Sequence, residues 1–393
     1  MQRSYDVVVV GGGVMGLMTA VHLRLLGAGS VVLLERRYLG AGESGKSGAI
    51  LRQHYSHVQT IRMARASLQE FATFQERTGR DIGFRRLGML FVLPETERPI
   101  LEANVQLQRQ EGVQVDILDS EGLRELEPRG RFEDVIAAWE PEAASVDPVR
   151  TVGAFGAEAI RLGVDLQLGC EVIAIVTEAD GPGRRVTGVE TSQGVIATRQ
   201  VIGAAGPWSA RLLAGVGVSL PLEVVRPQQA FLRPPADFGE DHPILADLPN
   251  EIYSKPEPAG TRVGSISYDR DARVDPDDYD ESADTEFLLQ ARSRMQRRLP
   301  AYGRAVVWGG GSGLYTVTPD AQAVIGPLDD LEGFVLVTGF SGHGFKLSPA
   351  VGRGVAELLV HGTSRSLDLD FFDPMRFRRK QSRESRYRYK ILG

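Results

Sequence analysis

A chain of 393 residues, 42% hydrophobic and 24% charged, has the length of two domains or of one enzyme with an inserted lobe, and an ordinary globular composition. The net charge of −6 argues against nucleic acid as the main partner, because a phosphate-binding surface needs a basic field. One cysteine, Cys170, excludes an internal disulfide and fits a reducing, cytoplasmic setting. The N-terminus runs straight into a strand, so no signal peptide is expected, and no apolar run reaches the ~20 residues of a membrane span. No metal site is expected either.

The first element is the most informative. Val7-Val8-Val9-Val10 reads as a strand buried on both faces, followed by Gly11-Gly12-Gly13-Val14-Met15-Gly16. Gly11, Gly13 and Gly16 make G-x-G-x-x-G: a tight turn, close backbone approach to a pyrophosphate, and close packing of helix on strand. Val14 and Met15 open a helix running to about Leu26 and stopping at Gly27, its N–H groups aimed at the phosphates. A second strand ends at Glu35, at the right distance to accept a ribose hydroxyl. Strand, turn, helix and acid together predict a dinucleotide site, without choosing FAD over NAD.

The loop from Arg36 to Arg52 is rich in glycine and serine and is expected to cover the pyrophosphate and the reactive end. Ser44 and Ser47 can donate to phosphate there and Lys46 can neutralise it. Gly45-Lys46-Ser47 resembles a P-loop ending, but its glycine spacing and strand context are wrong. A helix follows, with Val58, Ile61, Ala64, Leu68, Phe71 and Phe74 as its core stripe. Short β runs from Ile82 to Leu93, a helix over Arg98–Gln110 and a segment to Pro148 form a first excursion. Asp147-Pro148 restarts the nucleotide fold as an N-cap acid with proline at the first helical position. Short strands lead to Val201-Ile202-Gly203-Ala204-Ala205-Gly206, which returns the chain to the cofactor.

A second β-rich excursion spans about Leu220 to Tyr315, with a solvated acidic loop at Asp269–Asp284. The chain returns through Phe334–Thr338 and Gly339-Phe340-Ser341-Gly342-His343-Gly344-Phe345-Lys346 to a helix from about Ser348, with Pro349 in its first turn. Gly342 and Gly344 flank His343 so that backbone N–H groups can face an anion. The C-terminal residues, from Arg376 to Lys390, are basic and read as a solvated or self-docked tail, or as a docking segment for an acidic partner.

Four stretches together resemble the FAD-dependent amine oxidoreductases of the D-amino-acid-oxidase superfamily, the sarcosine oxidase and dimethylglycine dehydrogenase group. They are the N-terminal glycine motif with Glu35, the loop Gly42–Arg52, Leu314-Tyr315-Thr316-Val317-Thr318-Pro319-Asp320, and Gly339–Lys346. The resemblance implies an α/β protein with an α+β second lobe. A Rossmann-like FAD-binding domain (1–80, 147–217 and 318–370) would carry an inserted, mostly antiparallel substrate domain (81–146 and 218–317), with 371–393 a basic tail. It further implies that Arg52 and Lys346 hold the carboxylate of an amine or amino-acid substrate and that Tyr315 bounds its pocket. It places Gly11, Gly13, Val14, Met15, Gly16, Glu35, Arg36, Ser44, Lys46, Ser47, Val172 (backbone at the adenine end), Gly206, Gly313, Gly342, His343, Gly344, Phe345 and Lys346 around the cofactor.

The implied reaction is hydride transfer to flavin N5 from a carbon next to nitrogen of a secondary or N-substituted amino acid, giving an imine that hydrolyses. Gly313 stands where some relatives tether flavin through cysteine, so FAD is expected to be non-covalent. Arg262, or nearby Lys255, stands where monomeric oxidases place an oxygen-activating lysine, and Ile266 where they place a histidine. That leaves open an electron-accepting protein or partner subunit in place of oxygen, and a non-catalytic flavoprotein with an assembly or redox-binding role.

Overall fold

The computed structural model describes residues 3–181, 183–267, 271–383 and 385. Two large sheets organise these residues. In the first, Leu331–Thr338, Val201–Gly203, Val7–Val10, Val31–Glu35 and Asp165–Leu168 lie side by side, every pair parallel. Val172–Asp180 and Gly183–Thr191 extend one flank as an antiparallel pair. Val8 and Val9 are fully buried, as a β-branched run covered on both faces should be. Burying each such side chain stabilises the fold by about 1.5–3 kcal/mol.

The second sheet takes its strands from both excursions. Its order is Val306–Ser312, Gln228–Arg233, Gly260–Ser265, Ile252–Glu257, Ile244–Asp247, Met89–Pro94, Val135–Glu140, Asp116–Leu118. Only the pairing of Ile244–Asp247 with Met89–Pro94 is parallel. A small third sheet joins the lobes: Ile50–Leu51 and Arg85–Arg86 both pair antiparallel with Ala144–Ser145.

Helices cover the parallel sheet. Val14–Leu25 packs against Gly344–His361 so closely that a Cβ at Gly352 would stand 2.5 Å from the Met18 carbonyl carbon. Val58–Thr78 buries the expected Ile61, Ala64, Leu68, Phe71 and Phe74, and Phe71 stacks on Phe345 at 6.2 Å. Asp147 caps Pro148–Arg161 by accepting from Arg150 N at 2.8 Å.

Two expectations need correction, and a third, the solvated or self-docked tail, is narrowed. The last long helix begins at Gly344, not near Ser348, so Pro349 lies inside it. Proline has no N–H for the Phe345 carbonyl, and the Ser348 hydroxyl donates to that oxygen instead, at 2.9 Å. The acidic loop is pinned as well as solvated: Asp275 and Asp277 pair with Arg211, Asp277 also with Arg36, and Asp284 with Arg226. Its residues Asp269 and Arg270 lie outside the described residues. In the basic C-terminal stretch Arg376 is fully buried, bonded to Asp320 through Nε and Nη2, both at 2.9 Å. Arg386, Arg388 and Lys390 lie outside the described residues. None of the helices among the described residues is long and apolar enough to cross a membrane.

Candidate active site

At the N-terminal turn, Gly11 has φ +112°, and a Cβ there would lie 2.4 Å from the Ala204 carbonyl oxygen. Only glycine fits a backbone so turned and so crowded. A Cβ at Gly16 would meet the Gly11 oxygen at 2.0 Å, which is the close helix–strand approach the motif implied. The Glu35 carboxylate ends the second strand and accepts from Gly12 N at 2.9 Å and Arg37 N at 2.8 Å. Ser44 Oγ accepts from Val14 N at 3.1 Å, pulling the following loop onto the helix start. That first helical turn contains no acid, so its field toward an anion is uncancelled.

These groups border a cavity of about 650 Å³ that runs between the sheets. At one end lie Glu35 and Val172. Gly11, Gly13, Val14, Met15, Ser44 and Gly206 line its middle, with Arg36, Lys46 and Ser47 from the covering loop. Gly313, Tyr315, Gly342, Gly344, Phe345, Lys346 and Arg52 line the far end. Gly16 and His343 do not border it: Gly16 serves packing, and the His343 ring is buried against Tyr55 at 5.6 Å. Burial, with Arg52 and Lys346 nearby, holds the His343 imidazole well below its usual range, so it is neutral. The loop's polar groups are also engaged internally. Ser47 Oγ accepts from Ala49 N at 3.0 Å, and Lys46 reaches Tyr279 and, at 3.2 Å, Glu281.

The far end is built by residues brought from distant segments of the chain. Arg52 follows the short strand Ile50–Leu51, donates to the His54 carbonyl, and lies over the Tyr55 ring at 4.1 Å. Lys346 sits in the first turn of the last long helix and makes neither a hydrogen bond nor an ion pair among the described residues. Burial and the Arg52 charge push its amine well below the usual lysine range. Tyr315 packs against the turn at Gly342, where φ is +88° and a Cβ would fall 2.8 Å from the Tyr315 ring. Its hydroxyl interacts with Tyr253, whose phenol burial pushes up to about 12. The walls are Met89, Phe91, Ala246 and Ile266.

The sequence reading missed Met89, Phe91, Ala246 and Tyr253. An apolar or alternating strand announces itself, but not which of its residues will face a cavity. It also missed Glu140, wholly buried behind Arg52 at the end of Val135–Glu140. Lys255 and Arg262, opposite one another on neighbouring strands, both pair with Glu257, at 3.0 and 2.7 Å, and neither borders the cavity.

A cavity of about 650 Å³ lined by the Glu35 carboxylate and by the acid-free starts of two helices fits an FAD molecule. A parallel dinucleotide-binding sheet facing an antiparallel one across such a cavity defines the class: a two-lobed FAD-dependent oxidoreductase. The chain belongs to the DAO family, FAD dependent oxidoreductases, whose profile matches residues 6–358. It is 27% identical to 4-methylaminobutanoate oxidase (formaldehyde-forming) of Paenarthrobacter nicotinovorans over 94% of its own length, and spans 45% of that longer protein. Identity to the human peroxisomal sarcosine oxidase is 29%, covering 95% of this chain and 96% of that one. Among solved structures, L-proline dehydrogenase from P. horikoshii superimposes with a TM-score of 0.89 at 28% identity, covering 98% of this chain and all of the other.

Proposed function

We propose that this protein oxidises a secondary or N-substituted amino acid at a carbon adjacent to nitrogen, with Arg52 and Lys346 holding the substrate carboxylate. One observation carries the reading: two cations from opposite ends of the sequence line the same end of the cofactor cavity, and the walls around them are apolar. Relatives named for sarcosine, 4-methylaminobutanoate and proline, all carboxylates bearing a secondary amine, support that substrate class.

Arg52 offers a planar two-pronged donor and Lys346 a point charge, so a carboxylate held by both has little freedom to rotate. Met89, Phe91, Ala246 and Ile266 exclude water from the carbon skeleton and suit an apolar side chain or ring. Tyr253 and Tyr315, both kept protonated by burial, can donate to the substrate or orient it without titrating near neutrality. The same desolvation beside two cations favours the neutral amine, the form that can surrender a hydride. FAD bound in the cavity, non-covalently since Gly313 supplies no thiol, would accept that hydride. The substrate leaves as an iminium, which becomes a neutral imine where the nitrogen carries a proton to lose, and water then adds to give a carbonyl compound and an amine.

The test is anaerobic mixing of flavin-loaded protein with proline, sarcosine, dimethylglycine and 4-methylaminobutanoate while following bleaching near 450 nm. At least one should bleach the flavin. Arg52→Gln should raise the substrate concentration for half-maximal bleaching by about 10- to 100-fold, the worth of a charge-assisted contact. An Arg52→Gln variant with unchanged concentration dependence overturns the assignment. Readmitting oxygen then assigns the acceptor, rapid reoxidation marking an oxidase and slow reoxidation a dehydrogenase.

A further inference from the structure

Glu140 is a buried carboxylate that the reaction as derived does not use. Its Oε1 accepts from Gln53 N at 2.6 Å and lies 3.4 Å from Gln53 Nε2, while Oε2 has no hydrogen-bond partner among the described residues. It lies opposite Met89 in the sheet, one layer behind the cavity wall, and does not border the cavity. Glu140 therefore fixes the residue after Arg52, while Ala144–Ser145, a few residues on, pairs with Ile50–Leu51 just before it. Both sides of the Arg52 backbone are tied to one stretch of chain.

We infer that Glu140 is a positioning residue for the substrate carboxylate: it orients Arg52 through Gln53 and acts as the buried counter-charge that keeps Lys346 in its cationic, anion-binding form. The inference rests on the carboxylate role proposed above for the two cations.

The physical argument is one of charge balance. A guanidinium does not give up its charge in a protein and an ammonium can, so repulsion between the two cations falls on Lys346. Burial and Arg52 both drive Lys346 toward the neutral amine, and Glu140 opposes them. Among the described residues, Glu140 is the carboxylate that acts on Lys346, whereas Asp271 and Glu43 bear on Tyr315 instead. Burial, with Arg52 adding to it, holds the imidazoles of His54, at about 3, and His343 neutral. Burial pushes the Tyr55 phenol up to about 12. Glu142 lies beyond Gln53, 3.5 Å from Nε2. Burial pushes the Glu140 carboxyl itself up to about 7, against the Gln53 backbone hydrogen bond and the Arg52 charge, so it supplies its negative charge above that pH; there the ionised site carries one net positive charge, which an incoming carboxylate cancels.

The test uses flavin-loaded protein, with acetate as a non-reactive probe and acetamide as its uncharged control, read by the flavin difference spectrum across pH. Wild type should bind acetate more tightly than acetamide, with affinity falling at alkaline pH as Lys346 loses its proton. Lys346→Met should abolish that fall. In Glu140→Gln the fall should begin about one pH unit or more lower, so that acetate binds about tenfold more weakly in the vacated interval. Should Glu140→Gln fail to accumulate with flavin, Glu140→Met, also uncharged, should show the same displacement. A wild type that does not discriminate acetate from acetamide, or a Lys346→Met profile identical to wild type, overturns the carboxylate site itself. A wild-type fall lost in Lys346→Met but unmoved by neutralising Glu140 overturns this inference alone.

Discussion

Replacing Arg376 by alanine should destabilise the protein more than the loss of any surface arginine. The guanidinium is wholly buried, its Asp320 partner has a side chain only 2% exposed, and two bonds of 2.9 Å join them. Arg376 also donates to the carbonyls of Gln322 at 2.8 Å, Asp373 at 3.2 Å and Phe372 at 3.3 Å. Removing one member of a buried pair leaves the other charged and unsatisfied, which costs about 3–5 kcal/mol. Asp320 keeps bonds from Gln322 N and Arg383 N, so the lower part of that range is expected. The assay is urea unfolding followed by tryptophan fluorescence, comparing Arg376→Ala with an Arg376→Met/Asp320→Asn double variant that removes both charges. The double variant should recover much of the loss. Burial alone would raise the Asp320 carboxyl, but Arg376 outweighs it and holds the group below its usual range. The pair's contribution is therefore complete above the unfolded value near 3.9 and lost as pH falls through the lower folded value, so the wild-type advantage should shrink below about pH 4. An Arg376→Ala variant within about 1 kcal/mol of wild type at pH 7, or a double variant no more stable than the single, refutes the reasoning.

Gly11→Ala places a methyl group 2.4 Å from a carbonyl oxygen at φ +112°, and should give protein purified with little or no flavin, read as the ratio of absorbance at 450 and 280 nm. Acid precipitation of the loaded wild type should release all yellow colour to the supernatant, because Gly313 offers no thiol; colour retained in the pellet would contradict a non-covalent cofactor. Burial pushes the Glu43 carboxyl up to about 7, its Oε2 accepting from Leu314 N. The folded state thus favours the protonated acid, and stability falls as pH rises from about 4.5 through about 7. Glu43→Gln should match wild type near pH 4 and melt at a higher temperature than wild type at pH 8.

The parts of this molecule written in local chemistry were readable from the chain. A valine run bounded by glycines, an N-cap acid before proline and a helical stripe at three- and four-residue steps each state their own conformation. Arg52 and Lys346 were singled out through likeness to known motifs, and their shared cavity end is tertiary geometry that no spacing encodes. Glu140 stayed hidden because an acid before Pro141 looks like any surface turn until Gln53 and Arg52 arrive from some 90 residues upstream. For Arg376, in a basic stretch, the sequence left solvated and self-docked readings open because its partner Asp320 lies 56 residues away. Phe91 and Met89 belonged to an apolar run whose period cannot say which face lines a ligand.

The three short strands at Ile50–Leu51, Arg85–Arg86 and Ala144–Ser145 are reinforced by bonds from Val146 N to Ala49 O at 3.1 Å and from Asp147 N to Ile82 O at 2.9 Å. They stitch segments that flank the parallel sheet to segments that lead into the antiparallel one, immediately before Arg52. A seam there denies the two halves a free hinge. With Arg52 holding a substrate as proposed, mutations that loosen the seam would blur the alignment of guest and cofactor.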